Sequence, residues 1–181
     1  MITRLLVTAA LATSLAACST TAIKDAADVA EAALTTDETP ETALPYVAMA
    51  GSSDMFEIQS SRLQLSQGRD PRLRQFANMM IAHHTKTSQD LMAAARAAGL
   101  RPPAPRLVEF QAEMLSRLRP LRGAEFDKEY RRQQVVSHQL ALRLHENYSK
   151  AGDNAQLRAA AGATTGVVRQ HLQMINDIEV S

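Results

Sequence analysis

Apolar residues recur at three- and four-residue spacing along most of the chain after residue 44, and glycines and prolines interrupt this pattern at a few places. Such spacing is typical of helices that bury one face, and no segment shows the alternation of a half-buried strand. The pattern predicts four long helices and one short one. Their predicted bounds are about 45–67, 71–99, 106–119, 124–151 and 153–179.

The residues between these segments favour the same division. Pro45 suits a first helical position, Gly68 suits a stop, and Asp70-Pro71 reads as an N-cap followed by the first residue of a helix. The segment LRPPAP at 100–105 breaks the chain, and Gly152 separates the last two helices. The sequence therefore predicts an all-α, up-down-up-down four-helix bundle with a short crossover helix between helices 2 and 3.

Composition supports a helical domain and argues against two classes of partner or site. The chain has 7 glycines, no tryptophan and many Ala, Leu, Met, Gln and Arg residues. Cys18 is the only cysteine, so the folded part has neither a disulfide nor a thiolate metal site. With 20 basic and 19 acidic residues and no basic stripe, we expect no nucleic-acid partner.

The first 17 residues have the features of a secretory signal: Arg4, then an uncharged run and small residues. Residues Leu15 to Cys18 resemble the lipobox of bacterial lipoproteins. The resemblance implies cleavage before Cys18, lipidation of that cysteine, and anchoring at the periplasmic face of the envelope. Ser19 favours the outer membrane. The alternative is an ordinary secreted protein with an incidental cysteine.

After Cys18 the chain is acidic and nearly free of large apolar residues as far as residue 44. We interpret 18–44 as the lipidated cysteine and a flexible tether that would hold the domain about 30 Å from the membrane. Residues 45–181 then form one domain, long enough for a single core.

Each long helix places one ionisable residue on its apolar face. At 100° per residue, His84 lies with Leu73 and Met80, whereas His83 falls about 100° away on a shoulder. Counted from the two predicted turns, the four inward residues lie within about 10 Å of one height along the bundle. The sequence therefore predicts one buried polar layer. Its members are Glu57, His84, His138 and His171.

A buried layer of this kind needs hydrogen bonds, water or a metal ion to satisfy it. Glutamate and histidine suit zinc, iron, manganese or copper, so the four residues are candidate ligands of one transition-metal ion. Asp127 and His145 share the face of His138 and could support the ligands, although His145 also fits a partly exposed helix end. Met80 and Met174, one turn from two of the histidines, would favour Cu(I) if they coordinated. A hydrogen-bonded layer without metal is equally consistent with the sequence.

Four stretches resemble a ferritin-like bacterial envelope family catalogued as domain of unknown function 4142. They are FEIQSSRLQL, DPRLRQFANMMIAHHTKTSQDL, GAEFDKEYRRQQVVSHQLAL and VVRQHLQM, and the resemblance covers residues 46–177. It implies a ferritin-like fold, and the positions that the family pattern marks are Glu57, His84, Asp127, His138 and His171. The pattern usually has an acid where His83 stands.

The resemblance implies no reaction, and the residues argue against one class of centre. Ferritin-like diiron proteins use Glu-x-x-His on two helices, but Ile81, Val135 and Val168 stand three positions before the histidines. We therefore expect a lipid-anchored bundle that binds one metal ion for sequestration or redox protection. The sequence leaves enzyme activity open, while favouring a protein without one. The alternative is a structural or stress-related envelope protein whose layer only fixes helix register. A mononuclear redox enzyme is the third hypothesis.

Overall fold

A computed structural model describes residues 39–180 of the chain. This part forms five α-helices and contains no strand, which confirms the all-helical prediction. The predicted signal segment, Cys18 and residues 19–38 of the predicted tether lie outside the described residues. The helices are α1 (Ala43–Gln67), α2 (Pro71–Ala97), α3 (Glu109–Leu118), α4 (Gly123–Ala151) and α5 (Ala155–Asn176).

The helix ends follow local chemistry. The Asp70 side chain accepts hydrogen bonds from the backbone N–H groups of Arg72 and Leu73 at 2.8 and 3.3 Å, and Pro71 occupies the first turn of α2. Gly123 begins α4 with φ +58°, a left-handed conformation that favours glycine. The short helix α3 begins at Glu109, three residues later than predicted, because the preceding segment holds three prolines.

The structure corrects the predicted order of helix directions. Arg72 of early α2 donates to the carbonyl oxygen of Glu179, and Arg131 of early α4 donates to that of Ile178. The starts of α2 and α4 therefore lie at the same end of the bundle as the end of α5. Hence α2 and α4 run in the same direction, and the arrangement is not a strict up-down-up-down one. The crossover of residues 98–122 is long enough to return the chain along the bundle.

The helices pack so that each neighbour in the bundle is antiparallel. Helix α1 packs against α2 and α4, and α5 packs against α4 and α2, while α3 lies across α1 and α4. At the opposite end from the α1–α2 turn, the backbone N–H of Asp153 donates to the carbonyl oxygen of Glu41 at 2.9 Å, and Asn147 donates to the Thr39 hydroxyl at 3.1 Å. Residues that the sequence assigned to the tether are thus attached to the bundle.

The apolar core has two parts. The α1–α2 turn end contains Phe56, Leu73, Phe76, Ala77, Met80, Met114, Leu115, Leu118, Phe126, Tyr130 and Ile175. The α4–α5 turn end contains Ala43, Tyr46, Val47, Ala50, Leu91, Ala95, Leu144, Tyr148, Leu157 and Ala161. The three inward histidines fall between these two sets along their helices. Among residues 39–180, no helix combines the length and apolar character that crossing a bilayer requires.

Helix α1 contributes an unusually polar inward face. Its buried polar residues are Ser52, Ser53, Asp54, Glu57, Ser60, Ser61 and Gln64. Several of them pair across to α4: the Ser61 hydroxyl lies 2.8 Å from that of Tyr130, and the Gln134 amide donates to Ser60 at 3.2 Å. Since buried polar groups need such partners, hydrogen bonds fix how α1 is placed against α4.

Candidate metal centre

Three histidines from three helices meet between the two halves of the core. His84 of α2, His138 of α4 and His171 of α5 are 2%, 1% and 0% exposed. One ring nitrogen of each lies within 4.8 Å of the corresponding atoms of the other two. The ring centroids are 5.3 to 5.7 Å apart. His84 and His138 lie near the middle of their helices, whereas His171 lies five residues before the end of α5.

Each of these histidines has one engaged nitrogen and one free nitrogen. Within the described part of the chain, His84 Nε2, His138 Nε2 and His171 Nδ1 are buried without a hydrogen-bond partner. The opposite nitrogens all have partners: His84 Nδ1 lies 2.8 Å from Asp54 Oδ1, and His138 Nδ1 lies 2.8 Å from the carbonyl oxygen of Gln134. A neutral imidazole that donates through one nitrogen presents a lone pair at the other, as metal-binding histidines do.

The third engaged nitrogen belongs to a pair of histidines. His171 Nε2 lies 2.8 Å from His83 Nδ1, and the two rings are stacked with centroids 5.1 Å apart. His83 is exposed, although it lies next to the buried His84 in the chain. Sequence periodicity places His83 on a shoulder, and the structure shows that this shoulder reaches α5.

The spacing of 4.8 Å or less between ring nitrogens of the three histidines can be compared with that of a metal site. Nitrogen ligands about 2.0–2.1 Å from a tetrahedral zinc ion are roughly 3.3 Å apart. The three rings would therefore have to approach one another by up to about 1.5 Å to bind one ion. Small rotations about the side-chain bonds of the three histidines move the ring nitrogens by such a distance. The donor set therefore fits a metal with three protein ligands and an open position.

Glu57, which the sequence predicts as a fourth ligand, is not brought into this group. Its Oε1 accepts a hydrogen bond from the Ser137 hydroxyl and lies 3.7 Å from His138 Nδ1. Glu57 Oε1 is thus close to the engaged nitrogen of His138, while Nε2 of that ring has no hydrogen-bond partner. Its Oε2 is buried and has no partner among the described residues. The negative charge of the Glu57 carboxylate therefore acts to raise the pKa of His138.

The surroundings set the charge of each imidazole. Burial, together with the charges of the neighbouring histidines, lowers the pKa of His171 to about 2. Burial also lowers the pKa of His138, against the charge of Glu57. For His84, burial acts to lower the pKa, but the hydrogen bond and charge of Asp54 outweigh it and raise the pKa overall. Two of the three rings are therefore held neutral near pH 7, the form that binds metal.

The two predicted supporting residues lie elsewhere. Asp127 is at the α1–α2 turn, where its carboxylate accepts from the backbone N–H groups of Arg69 and Asp70 at 3.0–3.2 Å and from the Gln64 amide at 2.8 Å. His145 is 5% exposed, so it is not a partly exposed helix end. Its Nδ1 lies 2.9 Å from the Tyr46 hydroxyl, in the core half at the α4–α5 turn.

The two methionines that lie one turn from the histidines differ in burial. Met80 is buried in the apolar core near the α1–α2 turn. Met174 is 38% exposed and lines a surface groove between α2 and α5 together with Met79. The Met80 side chain is thus part of the apolar core, and the Met174 side chain is part of the surface.

Sequence reasoning missed Asp54 and His83. Asp54 lies three residues before Glu57, on the same face of α1, and Thr87 also donates to its Oδ1 at 2.8 Å. The i, i+3 spacing of two acids on a buried face was the available signal. For His83, the only signal was its place beside His84, since nothing in the sequence of α2 shows which helix packs against its shoulder.

Comparison with known proteins identifies the family of the chain. No curated protein and no solved structure matched it. One family model matches residues 25–178, which is most of the chain. This range includes all three histidines of the cluster and the residues that hydrogen-bond to them. The chain therefore belongs to the family described as Domain of unknown function (DUF4142).

Proposed function

We propose that this protein binds one transition-metal ion through His84, His138 and His171, as a lipid-anchored protein of the bacterial envelope. The proposal rests on two observations: the three buried histidines each offer a ring nitrogen within 4.8 Å of the others, and each ring has one buried nitrogen without a hydrogen-bond partner. A buried polar atom without a partner costs about 1–3 kcal/mol. A bound ion would satisfy all three atoms at once, whereas helix register alone would not require them to face one another.

The donor set narrows the choice of metal. Three imidazoles without a thiolate suit Zn(II), Cu(II) or Fe(II), and three protein ligands leave a position open for a further ligand. A resident ion would supply Lewis-acid or redox chemistry there. Asp54 would hold the His84 ring in orientation and increase its basicity, as carboxylates do behind metal-binding histidines. The buried position suits storage or protective sequestration of the ion.

Two further parts of the proposal concern the fold and the location. A four-helix bundle with one long crossover is the arrangement of ferritin-like proteins, and the crossover of residues 98–122 supports that assignment. The lipobox-like tetrad that ends at Cys18 supports lipidation and an outer-membrane location at the periplasmic face. No nucleic-acid partner is proposed, because the chain lacks a basic stripe.

Metal content and thermal stability test the proposal. Protein purified without chelator should contain about one metal ion per chain, and chelator-treated protein should regain it from Zn(II), Cu(II) or Fe(II). An ion that binds only the folded state at 100 times its Kd adds about 2.7 kcal/mol, or on the order of 10 °C in Tm. The double variant His84→Gln/His138→Gln should lose both effects.

The matched control is His145→Gln, which removes a buried histidine that lies outside the cluster. It should bind metal as the wild type does. Wild-type protein without stoichiometric metal, and with a Tm that none of the three ions moves, would refute the metal proposal.

A structural role is the second candidate, and the residue-by-residue pairing of α1 with α4 favours it. The bonds between Ser61 and Tyr130 and between Gln64 and Asp127 hold without any metal. In that case, His84→Gln/His138→Gln would lower stability yet leave the cellular phenotype of the protein intact. A phenotype lost at unchanged protein level would exclude a purely structural layer.

A further inference from the structure

Among residues 39–180, His83 is the one exposed side chain that hydrogen-bonds to a histidine of the cluster. The groups behind His84 and His138 are Asp54 and Gln134, and both are buried. The group behind His171 is His83, whose side chain is exposed on the outer face of α2. The cluster is thus within one side chain of solvent on the side where α2 meets α5.

The His83 side chain not only separates the cluster from solvent but can itself bind a metal ion. Its imidazole is stacked on that of His171, with the planes 23° apart and Nδ1 2.8 Å from Nε2. Imidazole is itself a metal ligand, so a group able to bind an incoming ion stands at the surface and touches a predicted ligand of the buried centre. The other residues that contact the cluster histidines offer no comparable exposed donor, because Asp54 and Glu57 are buried.

We infer that His83 is the exchange residue of the buried centre, through which a divalent ion enters and leaves. This inference rests on the proposed function. From solvent, the ion binds first to the His83 imidazole, and the hydrogen bond between His83 and His171 opens. His171 then receives the ion, and His84 and His138 complete its coordination. Release follows the same steps in reverse, and His83 returns to its hydrogen bond with His171.

The inference makes a kinetic prediction that a permanent ligand or a structural residue would not make. An exchange residue lowers the barrier between the free and the bound ion without stabilising either. Its removal should slow binding and release by the same factor and leave Kd nearly unchanged. If His83 were a permanent fourth ligand, its removal would instead raise Kd, chiefly through faster release. If His83 only blocked access to the site, its removal would make both binding and release faster.

The test compares two variants of similar shape, His83→Gln and His83→Glu. The Gln amide can keep the hydrogen bond to His171 but binds Zn(II) poorly, whereas the Glu carboxylate can do both. Stopped-flow mixing of the chelator-treated protein with Zn(II) gives the association rate. Mixing the Zn(II)-loaded protein with excess chromophoric chelator gives the release rate. Gln89→Glu, at another exposed position on α2, controls for added charge alone.

We expect His83→Gln to slow both rates at least tenfold, with Kd changed less than threefold, and His83→Glu and Gln89→Glu to stay within threefold of the wild type. Unchanged rates in His83→Gln would overturn the inference, and so would faster exchange or a large rise in Kd. If the wild-type protein binds no Zn(II), Cu(II) or Fe(II) at all, the proposed function itself fails. That result is distinct from normal binding with unaltered rates.

Discussion

Replacement of His145 by Gln should make the protein less sensitive to acid. His145 lies in the core half near the α4–α5 turn, where its Nδ1 lies 2.9 Å from the Tyr46 hydroxyl oxygen. Burial lowers its pKa to about 4, partly opposed by the charge of Asp54. In the unfolded chain the same imidazole has a pKa of about 6.5. Between these two values, only the unfolded state binds the proton.

The sign and size of the effect follow from linkage. Because the unfolded state binds more protons, the free energy of unfolding falls as pH falls below about 6.5 and reaches its full loss below about 4. A difference of 2.5 in pKa corresponds to about 3 kcal/mol in total. At pH 5 about 2 kcal/mol of this is lost relative to pH 7. Gln has no proton to bind in this range, so the variant should be spared that loss.

Urea unfolding of chelator-treated protein at pH 7 and pH 5 measures the difference. Other histidines contribute to both proteins, so the quantity of interest is how much more the wild type loses than His145→Gln, which should be about 2 kcal/mol. Tyr46→Phe is the control, since it removes the hydroxyl and keeps the titrating ring. Parallel losses in the wild type and His145→Gln would show that His145 is protonated in the folded state, contrary to the reasoning from burial.

Four further predictions concern single positions. Asp54→Asn should weaken Zn(II) binding 10- to 100-fold, measured by competition with a chelator, because the carboxylate orients His84; equal affinity would contradict that role. Asp127→Ala should lower the free energy of unfolding by about 2 kcal/mol, measured in urea, and leave Zn(II) affinity unchanged, because its carboxylate caps backbone N–H groups at a turn. Gly123→Ala should cost about 1 kcal/mol in the same assay because φ is +58°, whereas the mid-helix Gly166→Ala, with no atom close to the added methyl group, should raise stability by about 0.5–1 kcal/mol.

Local signals in the sequence were sufficient for the helices. Asp70-Pro71 and Gly68 mark the first turn within the residues where the structure has it, and α4 ends at the predicted Ala151. The directions of the helices were not predictable in the same way, because they depend on where the crossover leads the chain. The spacing of apolar residues in 98–122 does not indicate that this segment runs from one end of the bundle to the other.

The candidate site was predictable where it depended on one helix at a time. The inward faces of His84, His138 and His171 follow from helical spacing, and the structure places all three inward. Glu57 also faces inward as predicted, but its neighbour is Nδ1 of His138 and not the free nitrogens. A shift of one helical turn, or contact with one ring nitrogen and not the other, decides whether a side chain can be a metal ligand or only contacts one. Such detail depends on how several helices pack together.

The polar inward face of α1 has a consequence for synthesis of the chain. Its partners Tyr130, Gln134 and Ser137 lie 69, 74 and 80 residues further along. At about 5–20 residues per second, a ribosome needs roughly 4–16 s to reach them. Throughout that interval the Glu57 carboxyl group and the Ser61 hydroxyl lack the α4 partners that they have in the folded bundle. The first long helix of the bundle to be translated is therefore among the last to gain its complete set of tertiary contacts.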